Sequence, residues 1–309
     1  MKPKMTIADA ANVLGITKQG VHKKVKSHGV ILPKVSNKHY IDHAAAKQVF
    51  QHKFKNQTIA MQIVKGGVGK TTLVHSIATR ASLYGAKVLC IDLDQQANLT
   101  RAFNVDPSQT PVMIDILDKD YDIKDSIMQA FDGVDIVPSR MDNANLDNLL
   151  ILKKLPLDRV YKMLIKDLKK EYDLILFDCP PALGQSVTAS ALAVDWVISP
   201  VTPEEFSIDG LKVSASELKK VEKMFGKKIP IKILLNKFDS RTNLSHDVLS
   251  SLISIPSYKK VMFKSYIRVS QAFANVISLK NTIYDSTKPS PEKEDIDLIT
   301  REILGLSLN

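Results

Sequence analysis

Val64-Lys65-Gly66-Gly67-Val68-Gly69-Lys70-Thr71-Thr72 follows an apolar run, Ile59-Ala60-Met61-Gln62-Ile63, that reads as a strand. It opens Leu73-Val74-His75-Ser76-Ile77-Ala78-Thr79-Arg80-Ala81, whose apolar residues recur at helical spacing. A glycine-rich turn between a strand and a helix is a phosphate cradle, because glycines let backbone N–H groups close around an anion and the helix N-terminus adds a favourable dipole. The nucleotide-binding residues expected here are Gly66, Gly67, Val68, Gly69, Lys70, Thr71 and Thr72. Lys70 supplies a point charge for the β- and γ-phosphates, and the Thr71 hydroxyl a ligand for Mg²⁺.

At 309 residues the chain has room for one large α/β domain and something smaller. Hydrophobic residues at 44% and charged residues at 25% suit a globular protein. No apolar run approaches the ~20 residues that span a bilayer, and the lysine-studded start lacks a signal-peptide core. Two cysteines, Cys90 and Cys179, make no disulfide framework, so the expected compartment is the cytoplasm. The net charge of +10 is uneven: residues 1–57 hold 11 Lys, no Arg, and only Asp9 and Asp42 as acids. That places +9 on the first segment and sets an expected boundary after residue 56.

Within this head, Thr6 to Gly15 reads as a capped helix, and Ile16 to Val25 as a turn and second helix with Thr17 as N-cap. Ala10, Leu14, Ile16, Val21 and Val25 would form the contact between the two helices. Lys18, Gln19, His22, Lys23 and Lys26 would then face outward, a helix-turn-helix spacing suited to DNA. Val30–Pro33 and Lys38–Asp42 suggest a small wing, followed by a helix from Asp42 to Phe54.

Beyond the loop, Ala86–Asp94 is an apolar strand ending in Asp92 and Asp94, carboxylates that can orient water or hold Mg²⁺. Leu157 to Lys170 has helical spacing with a lysine-rich outer face. Tyr172–Phe177 leads into Asp178-Cys179-Pro180-Pro181, a Walker B arrangement in which Asp178 holds Mg²⁺. Asp195–Val201 and Ile229–Leu235 are further strands, the latter ending in Asn236, an amide able to read an adenine edge. Asn236-Lys237-Phe238-Asp239 also resembles the guanine-reading box of GTPases.

The glycine that begins the ordinary P-loop is Val64 here, and Lys65 stands at the front of the loop. Lys-Gly-Gly-Val-Gly-Lys-Thr resembles the deviant Walker A box of the ParA/MinD family of P-loop ATPases. Asp-x-Pro-Pro, Thr202–Leu211 and Ser240–Leu249 are similar to family segments, as is Tyr266–Ala272; the run after Asp94 has Gln95 and Ala97 where Pro and Gly are usual. The resemblance implies a doubly wound, mainly parallel sheet over residues 57–309, with a winged helix-turn-helix over 1–56. It implies ATP/ADP and Mg²⁺, catalytic Lys65, Lys70, Asp94 and Asp92, and metal-binding Thr71, Asp178 and Asp92. It adds Pro203, Glu204 and Asn236 to the nucleotide site, and Arg241, Lys264, Arg268 and Lys280 to a DNA-facing surface.

The function implied is that of a plasmid or chromosome partition ATPase. ATP closes a homodimer in which each Lys65 reaches the partner's phosphates, and the dimer binds DNA without sequence preference on the nucleoid. A ParB-type centromere-binding partner stimulates hydrolysis, and the head would repress its own operon. Two alternatives share the ATP boxes: a MinD-like ATPase cycling on membrane, and a repressor that uses nucleotide as effector. The acidic segment Ser290–Ile299 lacks the basic face that membrane docking needs.

Overall fold

The computed structural model describes residues 1–35, 37–204 and 207–307. The head runs β1 (Met5–Thr6), α1 (Ile7–Leu14), α2 (Lys18–Ser27), β2 (Lys34–Val35), β3 (Lys38–Ile41) and α3 (His43–Phe50), its three strands ordered β1-β3-β2. Local chemistry sets the boundaries. Thr6 Oγ1 accepts from Asp9 N at 3.0 Å while Asp9 accepts from Thr6 N at 3.2 Å, a capping box. Thr17 caps α2 through Gly20 N, and Asp42 caps α3 through Ala45 N.

Three expectations in the head need correction. Ala10, Val21 and Val25 are buried, but Ile16 is exposed and lies over Gly20, whose missing Cβ leaves room for it. The wing strands are Lys34–Val35 and Lys38–Ile41, so Val30–Pro33 precedes the hairpin. Helix α3 stops at Phe50 rather than Phe54: Gln51 turns left-handed at φ +54, and His52 then sits between the Phe50 and Phe54 rings.

The rest of the chain continues β4 (Gln57–Met61), α4 (Lys70–Leu83), β5 (Val88–Asp92), α5 (Asn98–Ala102), α6 (Met113–Lys119), β6 (Met128–Phe131) and β7 (Val134–Val137). Then come α7 (Leu146–Leu152), α8 (Val160–Leu164), α9 (Leu168–Glu171), β8 (Leu174–Asp178), α10 (Gln185–Ala193), β9 (Trp196–Val201) and α11 (Ser207–Phe225). The chain closes with β10 (Ile231–Leu235), α12 (Asn243–Ser254), α13 (Pro256–Lys259), α14 (Ala272–Ser278) and α15 (Pro291–Leu304). The span 157–170, expected as one helix, is broken into α8 and α9 because the chain turns after Leu164 to bury both Ile165 and Leu168.

Seven strands form one sheet in the order β10-β9-β4-β8-β5-β7-β6, parallel except for β6 at the edge. All five residues of β5 and of β8 are buried, as expected of strands covered by helices on both faces. The register pairs Asp178 with Met61 of β4 and with Asp92 of β5, so the three central strands end together beneath the glycine-rich loop.

Helix α4 is the axis of the molecule. Every residue from Leu73 to Leu83 is buried, so α4 shows no polar face. It packs on β5 and β8, and against α3, α5, α14 and α15. The head is fused to its far end. His43 Nδ1 lies 2.9 Å from Ser82 O, and Gly85, at φ +89, lets the Lys47 backbone approach so closely that a Cβ there would meet Lys47 Cα at 2.8 Å. Head residues Met5, Val21 and Phe50 therefore share one apolar cluster with Ile77, Val88 and Ile299.

His75, buried mid-helix with its ring 4.8 Å from Phe103, has its pKa lowered to about 4 by desolvation. Unfolded, the same imidazole titrates near 6.5. Stability is therefore retained above that value and lost as pH falls from about 6.5 toward 4. Urea unfolding at pH 5 and pH 7.5 should show His75→Leu losing about 2 kcal/mol less than the wild type between the two conditions; equal losses would refute this reading of His75.

Candidate functional site

The loop between β4 and α4 is bent by glycines at the two positions that require it, Gly67 at φ +74 and Gly69 at φ +87. Gly69 is doubly constrained, because a Cβ there would come 2.6 Å from Asn236 Nδ2. Asn236, at the end of β10, donates from Nδ2 to Val68 O at 2.8 Å, and Lys237 Nζ donates to Gly67 O at 2.8 Å. Two consecutive loop carbonyls are thereby turned away, leaving the loop's N–H groups to an anion. Asn236 thus has a bracing job that sequence reading did not assign, and its Oδ1 accepts no hydrogen bond from the described residues.

Lys70 is buried, with Nζ 3.3 Å from Lys65 O. Burial lowers its pKa, opposed by the negative field of Asp178. Thr71 Oγ1 donates to Asp178 Oδ2 at 2.7 Å. Asp178 Oδ1 is buried without a partner among the described residues, and burial together with Asp92 pushes the Asp178 carboxyl well above the usual carboxylate range. An orphaned buried carboxylate oxygen beside a threonine hydroxyl suits a Mg²⁺ held by one carboxylate, one hydroxyl and phosphate oxygens. No cluster of three or more His, Cys, Asp or Glu that could hold a metal exists among the described residues.

The Asp92 Oδ2 accepts from Thr100 N at 3.0 Å and Thr100 Oγ1 at 2.8 Å, and its Oδ1 accepts from Asp94 N at 3.1 Å. Fully buried and pushed up to about 7 by desolvation, Asp92 anchors the start of α5. Asp94 is held by this arrangement: its carbonyl accepts from Ser139 Oγ at 2.7 Å and its Oδ1 from Gln96 N at 2.9 Å. Thr100 and Ser139 carried no signal in the sequence, since their roles arise where three loops converge.

Lys65 Nζ forms an ion pair with Glu204 at 2.8 Å and donates to Ser207 Oγ at 2.9 Å. That bond holds the Glu204 carboxyl below its usual range. Pro203 is half-buried beside it; Glu205 and Phe206 of the same segment lie outside the described residues. Asp147 of α7 was also missed. Its Oδ1 accepts from Ser186 N at 2.7 Å, capping α10 from outside, and its carboxylate fills the space a Cβ on Gly184 would need. This latch closes the loop that follows Asp178.

Of the residues expected to face DNA, Lys18, Gln19, His22, Lys23 and Lys26 all lie on the exposed face of α2, and Lys264 and Lys280 are exposed too. Arg241 is exposed but folds onto Asp239 through two contacts of 2.9 and 2.8 Å. The Arg268 guanidinium is clamped to Asp295 and Glu294 of α15, at 2.6 and 2.8 Å. The same helix buries Ile296, Ile299 and Ile303 on the protein, and no helix among the described residues is long and apolar enough to cross a membrane.

A family model, that of the AAA domain, matches residues 56–233. The chain belongs to the ParA family of P-loop ATPases. It is 29% identical over 197 residues to the sporulation initiation inhibitor protein Soj of Bacillus subtilis, covering 63% of this chain and 78% of Soj. It is 28% identical over 253 residues to the virulence plasmid ParA family protein pGP5-D of Chlamydia psittaci, covering 80% and 94%. The fold matches the ATP complex of a McdA variant from Cyanothece with a TM-score of 0.73 at 20% identity, covering 83% and 99%. This ParA-family protein is an ATPase.

The raised carboxyl of Asp178 has a stability consequence. Unfolded, it ionises near 3.9; folded, its pKa is well above that, so its ionisation costs stability as pH rises through and beyond the unfolded value. At pH 8, Asp178→Asn should raise the melting temperature of the nucleotide-free protein, by about 2–4 °C for each kcal/mol relieved. At pH 4 the gain should shrink, and the added stability from Mg²⁺ with ATP should vanish. A destabilised variant at pH 8 would contradict the orphaned-carboxylate reading.

Proposed function

We propose that this ATPase partitions DNA: ATP closes a homodimer, the dimer binds DNA without sequence preference, and a ParB-type partner triggers hydrolysis and release. The observation that carries the reading is Lys65. It stands at the mouth of the loop, half-buried and paired with Glu204, on a strand-end segment beside the phosphate cradle. Exchanging Glu204 for the phosphates of a second copy would give Lys65 the part an arginine finger plays in other P-loop enzymes.

The chain's own groups divide the work. Backbone N–H groups of Gly66 to Thr72 and the Lys70 ammonium bind the β- and γ-phosphates. Thr71 Oγ1 and Asp178 would hold Mg²⁺, which when bound supplies positive charge at the β- and γ-oxygens. Asp94, fixed by Ser139 and Gln96, orients the attacking water, and Asp147 keeps the loop after Asp178 in place. Asn236 Oδ1 together with the half-buried Pro203 borders the space for adenine, the oxygen accepting from the exocyclic amine.

The head is read as a winged helix-turn-helix. Helix, turn Gly15–Thr17, helix and a two-stranded hairpin follow one another, and α2 exposes Lys18, Gln19, His22, Lys23 and Lys26. It would recognise an operator in the protein's own promoter, while Arg241, Lys264 and Lys280 add charge for nonspecific DNA. Burial of α15 favours this over membrane docking.

Gel shifts on nonspecific DNA, with ADP, ATP and a nonhydrolysable analogue, test the sandwich. DNA binding and dimerisation should need the triphosphate, and Lys65→Ala should lose both while retaining nucleotide. A variant that still dimerises with the analogue would sink the proposal.

A further inference from the structure

A cavity of about 530 Å³ lies where α1 of the head, the loop after Tyr284 and the start of α15 meet. Arg80 of α4 and Arg301 of α15, only 5% and 7% exposed, line it. Both guanidiniums converge on one carboxylate: Arg80 Nε lies 2.6 Å from Asp297 Oδ1, and Arg301 Nε 2.9 Å from Asp297 Oδ2. The Tyr84 hydroxyl accepts from Arg80 Nη2 at 3.3 Å and from Arg301 Nε at 2.8 Å, and donates to Asp297. Burial pushes that phenol up to about 12, so it brings no negative charge.

Arg301 Nη1 donates to Ser307 O, while Arg80 Nη1 and Arg301 Nη2 have no hydrogen-bond partner among the described residues. The Tyr84 and Tyr284 rings lie 4.6 and 5.4 Å from Arg80 Cζ, which softens the charge but does not neutralise it. Lys4, Lys288 and Lys293 add three cations to the wall. Of the other wall carboxylates, Glu294 is paired with Arg268, whereas Asp9 bonds the neutral Thr6 cap and keeps its charge. Five cations therefore face two carboxylates, Asp9 and Asp297, that are not paired with a cation outside the wall, and two of the five are buried, where an unmatched charge is costly.

We propose that this cavity binds a small phosphorylated molecule of about mononucleotide size, at a site separate from the loop before α4. The volume lies in the range of small-ligand sites. Two planar guanidiniums flanked by lysines match a multiply charged phosphate better than a single carboxylate. Because the walls come from the head, α4 and α15, an occupant would tie the head to the helix that carries the phosphate loop. The inference stands whether or not the head binds DNA.

Calorimetric titration of the full chain and of its Lys70→Ala variant, with no other nucleotide present to compete for the cavity, tests it with pyrophosphate, AMP and a short single-stranded oligonucleotide. The expected result is one saturable equivalent of pyrophosphate or AMP, retained by Lys70→Ala and weakened about tenfold or more by Lys4→Ala/Lys288→Ala. Lys4 and Lys288 lie on the outer wall, and circular dichroism with melting temperature checks that the double variant is folded. The proposal is overturned if neither small probe binds saturably, if Lys70→Ala abolishes the binding, or if the double lysine variant leaves it unchanged. Saturation by the oligonucleotide alone would likewise overturn it, assigning the cations to nucleic acid.

Discussion

Burial of α4 on all sides is the constraint from which the other features follow. A helix with no solvent face cannot shift without disturbing the sheet beneath it or the helices above. Its first turn carries Lys70 and Thr71, so the phosphate cradle is held by packing as well as by hydrogen bonds. The brace from Asn236 and Lys237 adds the other half of the cradle's rigidity, from a strand two positions away in the sheet.

That rigidity is obtained against electrostatic cost. Asp178 and Asp92 face each other across adjacent strands, both buried, and both are pushed toward the protonated form. Asp92 is compensated by three donors, whereas Asp178 keeps an oxygen without a partner among the described residues. The two carboxylates thus differ in how far the protein itself satisfies them.

The same helix also explains why the head is not a bead on a linker. Apolar residues of α1, α2 and α3 enter the cluster that covers α4, and Ser82 and Gly85 receive His43 and Lys47 directly. The basic surface of α2 is therefore held in a fixed position relative to the nucleotide loop.

Strands, caps and the glycine-rich loop were legible in the chain itself, because each depends on neighbours within a few residues. Thr6, Thr17 and Asp42 cap the helices that local pattern predicts, and Gly67 and Gly69 take the left-handed angles only glycine adopts cheaply. Asp178 after an apolar run, placed downstream of that loop, was readable for the same reason. What the chain alone did not reveal depends on residues far apart in sequence. Asp92 is bonded by Thr100, Arg268 is paired with Asp295, and Glu204 is paired with Lys65. A charged side chain's role is set by which counter-charge the fold delivers to it, and only the tertiary structure decides that.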